Sequence, residues 1–177
     1  MKPILYISGP YSADSLIDRQ QNILNAKRRY VAALATGEWW AVCPHTHTAE
    51  MEMHLPGVDH DEWLRMDITM LAGCDAIWVD DCHLSKGARM ELVWAWMAKI
   101  PIYIGPESEL PAHPLDILHS PWICNEYLGI TMDTDIDMKK EYKPIVTVIN
   151  DMVSRGEIPD PKTYKGSVLT RGKNESD

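Results

Sequence analysis

Glu91 is the residue best placed to act as a reagent. It interrupts an otherwise apolar segment, and Gly87 stands four residues before it, so both share one face of the helix predicted over 85–99. Ser85 is placed to cap that helix. The free amides of a first helical turn attract anions, and a glycine there lets a ligand come close to the backbone. A carboxylate one turn deeper then faces whatever is bound. The expectation is a small ligand site with one carboxylate reagent.

Further chemical groups collect where apolar runs stop. Tyr6, Ser8 and Gly9 close the first run, His45 and His47 follow the second, and Asp80, Asp81 and Ser85 follow the third. Asp67 belongs to the preceding helix and reaches the same rim if its face points that way. Asp80 and Asp81 also have a plainer role as residues that end a strand, Asp67 as a solvated helix residue, and Tyr6 as core. His45 and His47, with His54, His60 and Asp61 nearby, invite a zinc or manganese reading, but their spacing matches no compact metal motif. The more economical role is a ligand contact from His45, which leaves the second strand at the sheet rim, and no metal is assigned.

The elements that must position these groups alternate between strand and helix. Apolar runs predict strands over 3–7, 39–43, 76–79 and 100–104; helical spacing predicts helices over 18–36, 61–74 and 85–99. On the 61–74 helix, Trp63, Leu64, Ile68 and Leu71 form the inner face. Residues 45–59 read as a polar, His-rich loop, 106–116 as a loop, 115–119 as one helical turn, and 144–155 as a closing helix with Pro144 in its first turn. This rhythm with short connections implies an α/β fold: a flavodoxin-like or Rossmann-like doubly wound parallel sheet of four to five strands. Ligands of such sheets bind at the carboxyl ends of the strands near the reversal of strand order, where the groups above collect. The α/β domain is expected over 1–155, and the Pro, Lys, Gly and Ser composition of 156–177 reads as a loose tail.

Composition sets outer limits. A chain of 177 residues with 45% apolar and 24% charged residues is one ordinary globular domain. No run of about 18 apolar residues is present, and the start carries no basic segment followed by an apolar one, so neither a membrane span nor a secretory signal is expected. A net charge of −9 without a basic stripe argues against binding to a nucleic acid polymer, though not to a free nucleotide. Cys43, Cys74, Cys82 and Cys124 are irregularly spaced and read as reduced thiols of a cytoplasmic protein.

Leu5-Tyr6-Ile7-Ser8-Gly9-Pro10, Asp67-Ile-Thr-Met-Leu71-Ala-Gly-Cys-Asp75 and Ser85-x-Gly87-x-x-x-Glu91, with Ala95 and the strand beginning Ile100-Pro101-Ile102, stand in an order that resembles the nucleoside 2-deoxyribosyltransferase-like superfamily. That superfamily includes the 2'-deoxynucleoside 5'-monophosphate N-glycosidases, and the Pro44-His45-Thr46-His47 insertion looks like an uncharacterised, often phage-encoded branch. The resemblance covers roughly the first 105 residues. It implies that Glu91 attacks the anomeric carbon, that Asp67 assists the leaving base, and that Tyr6 orients the nucleophile. Ser8, Gly9, His45, Asp81, Ser85 and Gly87 are then candidate substrate contacts.

At position 85 the transferases carry Asp and the monophosphate hydrolases a Ser that meets phosphate, so Ser85 resembles the hydrolases. Pro10, where some relatives carry a phosphate-binding hydroxyl, departs from that pattern. The function expected is N-glycosidic cleavage of a (deoxy)nucleoside 5'-monophosphate or nucleoside, with hydrolysis ahead of transfer. No metal or organic cofactor is required by that chemistry. A ligand-binding or sensor module without turnover and an NAD-type glycohydrolase are the alternatives. Relatives are homo-oligomers, and the aromatic, charge-poor segment 122–127 is the expected contact surface of a homodimer or larger assembly.

Overall fold

Short apolar runs, each bounded by Gly, Pro or a polar cap, become the four strands of one parallel sheet. In the computed structural model β1 (Ile4–Ser8), β2 (Trp40–Val42), β3 (Ala76–Val79) and β4 (Ile102–Ile104) lie in the order β2-β1-β3-β4, all parallel. The structure describes residues 2–79, 85–105 and 142–164. The register pairs Tyr6 with Val42 on one side and Ile77 on the other, and sets Ser8 beside Val79. All four residues of β3 are buried, as a central strand covered on both faces requires.

Strand alternation divides the core in two. Leu5 and Ile7 pack with Ala76 and Trp78 against α1 (Leu16–Ala35), through Ala26 and Ala33. Tyr6, Ile77 and Val79 face the other way, onto α4 (His60–Leu71), α5 (Lys86–Met97) and a closing helix α6 (Lys143–Ser154). Helices on both faces make the sheet doubly wound, as expected. The chain leaves β1 toward β2 on one side, then returns to β3 and β4 on the other. The reversal therefore lies between β1 and β3, and a crevice opens there at the strands' carboxyl ends.

Caps fix where the helices start. Ser15 accepts from the Asp18 amide before α1, Asp59 from the Glu62 amide before α4, and Ser85 from the Ala88 amide before α5. Beyond α1, Gly37 adopts a positive φ of 74°, which stops the helix at the residue able to turn it.

Two segments differ from the sequence reading. Residues 45–59, expected as loop, contain two single-turn helices, α2 (Pro44–His47) and α3 (Met51–His54), before α4 begins. Pro44 presets the first turn, and the Thr46 and Thr48 hydroxyls donate back to the carbonyls of Cys43 and Pro44 at 2.7 and 3.0 Å. A single turn has no period for a sequence pattern to reveal. The second difference lies after α6. Residues 156–164, assigned to a loose tail, pack onto the domain: Ile158 and Pro161 are buried, and Trp94 Nε1 donates to the Pro159 carbonyl at 3.0 Å. Tyr164 donates to the Cys74 carbonyl at 2.9 Å, and Glu157 pairs with Arg65 at 3.2 Å. The loop and helical turn expected over 106–119 fall outside the described residues, as does 165–177.

Candidate active site

α5 buries nearly its whole circumference in mid-helix. Met90, Leu92, Val93, Trp94 and Ala95 are buried, and Glu91 sits among them at 6% exposure. A carboxylate so placed must have donors or give up its charge. β1 supplies two. The Tyr6 hydroxyl donates to Oε1 at 3.0 Å and the Ser8 hydroxyl to Oε2 at 2.5 Å. Residues 6 and 8 are two apart in a strand, so both side chains point to the face where α5 lies. Burial, and then the charge of Asp67, push Glu91 up to about 8, while the two hydroxyl bonds act in the opposite direction. Burial and the neighbouring Glu91 lift Tyr6 well above its ordinary value, which keeps it a donor.

Asp67 comes from α4, beside the apolar ridge of Leu64, Ile68 and Leu71. It is half-buried, its Oδ1 has no hydrogen-bond partner, and burial raises its carboxyl to about 7. The two carboxyls are coupled, so their titration belongs to the pair, which carries about one proton near neutral pH.

Asp67 and Glu91 line one cavity at the reversal point, together with Gly9, His45, Ser85 and Gly87. The structure thus gathers six of the nine residues singled out from sequence around a single space. Tyr6 and Ser8 stand behind them, fully buried and turned onto Glu91. Ser8 was expected to touch substrate; it is buried, does not line the cavity and turns its hydroxyl onto Glu91. Asp81 lies outside the described residues.

At the cavity's α5 end, the Ser85 hydroxyl caps the helix, and the Lys86 and Gly87 amides belong to its open first turn. Lys86, a residue that the sequence reading did not use, also lines the space. A Cβ on Gly87 would meet only the Ser85 hydroxyl at 3.9 Å and a Leu64 methyl at 4.0 Å, ordinary contacts. Protein packing therefore does not demand glycine there, and Gly87 lines the cavity.

His45 is buried on α2, its Nε2 3.1 Å from the Pro10 carbonyl and its ring edge-on to Tyr11 at 5.7 Å between centroids. Burial lowers its pKa. His47 is exposed and does not line the cavity. Tyr11 and Trp63, which do, escaped the sequence reading. Trp63 was assigned to the inner face of its helix, and its spacing of four from Asp67 was the signal that the two share a face. Among the described residues no three His, Cys, Asp or Glu side chains gather as a metal-binding group, and no helix is long and apolar enough to cross a membrane.

The family described as "Domain of unknown function (DUF7768)" matches residues 3–104, which span β1 to β4 and every cavity residue named above. No curated protein and no solved structure matches the chain.

Proposed function

Since the chain belongs to the DUF7768 family, whose description names no activity, we propose a function from the site itself: cleavage of the N-glycosidic bond of a (deoxy)nucleoside 5'-monophosphate or nucleoside, with Glu91 as nucleophile. The observation that carries this reading is the pairing of two carboxyls of raised pKa on one cavity, one gripped by two hydroxyl donors and the other with an unpaired oxygen. It agrees with the resemblance of the Tyr6, Asp67 and Glu91 segments to nucleoside deoxyribosyltransferases and nucleotide N-glycosidases.

The chemistry needs one negative and one neutral carboxyl. Glu91 attacks the anomeric carbon as its bond to the base nitrogen breaks; the electron pair goes to the base, which takes the proton from Asp67. Asp67, now ionised, removes a proton from water, and that water attacks the anomeric carbon and frees Glu91. In a transferase a second base would take the place of water. Burial weighs most heavily on Glu91, and its two hydroxyl donors oppose that weight. With Glu91 at about 8 and Asp67 at about 7, the resting pair holds its proton mainly on Glu91. The reactive form, Glu91 ionised and Asp67 protonated, is the minor tautomer, and positive charge developing on the sugar beside Glu91 favours reaction through it. We read the open first turn of α5, with Ser85 and Lys86, as the seat of a 5'-phosphate, which favours monophosphates over nucleosides as substrates.

Deoxynucleosides and their monophosphates, incubated with the wild-type chain and with Glu91→Gln, test this by chromatography of the free base. Wild type is expected to release base, faster from monophosphates. Glu91→Gln is expected to bind with similar affinity and turn over about 100-fold or more slowly. Tight binding by wild type without base release would reduce the protein to a nucleotide-binding module.

A further inference from the structure

His45 is more than a lining residue. It is 7% exposed, and α2 and the β1–α1 loop hold its ring in one place: Nε2 lies 3.1 Å from the Pro10 carbonyl, and Tyr11 stacks edge-on against it. A carbonyl only accepts, so Nε2 must carry the hydrogen. In the neutral ring the lone pair then sits on Nδ1. That atom is buried and has no hydrogen-bond partner, and His45 lines the same cavity as Glu91 and Asp67. A buried acceptor left without a donor is costly, and a ligand in the cavity is the available source of one.

We propose that His45 reads the ligand: its Nδ1 is a fixed hydrogen-bond acceptor that takes one N–H or O–H of the bound nucleotide and selects for ligands carrying that donor. The inference rests on the nucleotide reading of the cavity and adds its specificity element. The Pro10 contact fixes the tautomer, so the ring cannot turn to offer a donor instead. Burial, which lowers the pKa, acts against the doubly protonated ring that would also lose the acceptor. His45 is thereby a reader and not a proton donor in the reaction. Two ligand groups present the required chemistry, a base N–H and the sugar 3'-hydroxyl.

Calorimetry on the full chain, carrying Glu91→Gln to prevent turnover, separates them. Each of the four common deoxynucleoside monophosphates is compared with an analogue lacking one base N–H and with an analogue lacking the 3'-hydroxyl. For the tightest-binding nucleotide, one of the two analogues is expected to bind about 10-fold or more weakly, and which one identifies the group read. Adding His45→Gln, whose amide can still reach the Pro10 carbonyl but offers no acceptor at the Nδ1 position, should make parent and analogue bind alike. His45→Asn, whose amide oxygen falls near Nδ1, should keep the discrimination. Equal binding of parent and analogues with His45 present, or discrimination surviving in the Gln variant, overturns the inference and leaves the proposed reaction standing. Failure of every nucleotide to bind overturns both. Nitrogen NMR of histidine-labelled chain needs no variant: Nδ1 is expected unprotonated at neutral pH and to shift on nucleotide binding, and a proton on Nδ1 refutes the assignment.

Discussion

At the residue scale, Glu91 combines two opposed demands. A nucleophile must be ionised, yet its place on α5 disfavours charge, and burial lifts its carboxyl to about 8. Tyr6 and Ser8 answer with hydrogen bonds, which favour the charged form. With Asp67 raised to about 7 as the second carboxyl, activity requires the pair to hold one proton. Below the first ionisation there is no nucleophile; above the second there is no acid. The profile of kcat/KM against pH should therefore be bell-shaped with its top near pH 7 to 8. Ser8→Ala removes a donor to the carboxylate and should raise Glu91, the higher of the two values, moving the basic limb upward by roughly one pH unit and lowering the peak, since a hydrogen bond to a charged group is worth about 1.5–3 kcal/mol. A profile flat from pH 5.5 to 9, or a limb unmoved in the Ser8 variant, would separate these groups from the rate.

At the scale of elements, the site is the meeting of β1, the end of β3's connection, α4 and the first turns of α5. Gly87 shows how an element's end is shaped for a ligand. Its backbone is helical, and alanine would suit the helix better by about 0.5–1 kcal/mol. A methyl there would touch only Ser85 and Leu64 at ordinary distances. Gly87→Ala should accordingly fold with an equal or higher Tm while weakening nucleotide binding about 10-fold or more; unchanged affinity would show that no ligand approaches this turn. Much of this level was legible in the sequence. β1 and β3 announce themselves as apolar runs, the Ser85 cap marks the start of α5, and Glu91 stands out because a charge breaks an apolar helix. What the sequence concealed has physical reasons. Alternation puts Tyr6 and Ser8 on one face of β1, but the strand order decides that α5 covers that face, so Ser8 looked like a ligand contact. Helical periodicity cannot distinguish a side chain facing core from one facing a cavity, which hid Trp63. Single turns such as α2 carry no period. Residues 156–164 are anchored by isolated contacts from Glu157, Ile158, Pro161 and Tyr164, too sparse to register as a pattern.

At the scale of the whole molecule, the same carboxyls tie global stability to pH. A carboxyl whose folded pKa lies above its unfolded value binds its proton more tightly in the native state. Its contribution is complete below the unfolded value, near 4.5 for Glu, and is lost as pH rises through the folded value, about 8 for Glu91. Asp67 acts in the same sense between 3.8 and about 7. Stability should thus fall from pH 5 to pH 8 as far as these two groups govern it, opposite in sign to the Arg-paired Glu157, which is held below its ordinary pKa and whose contribution is present above that value and lost as pH falls. Glu91→Gln removes the larger of the two losses: glutamine fits the same space, accepts from one hydroxyl and donates to the other, and never ionises. The variant should melt above wild type at pH 8 by about 2–4 °C, the shift that roughly 1 kcal/mol brings in a domain of this size, and the gap should close toward pH 5. Melting curves of both proteins across that range read the effect directly. A variant that melts below wild type at pH 8 would mean that Glu91 is held there as a stabilising ion, and the argument for a carboxyl kept under tension at the site would fail with it.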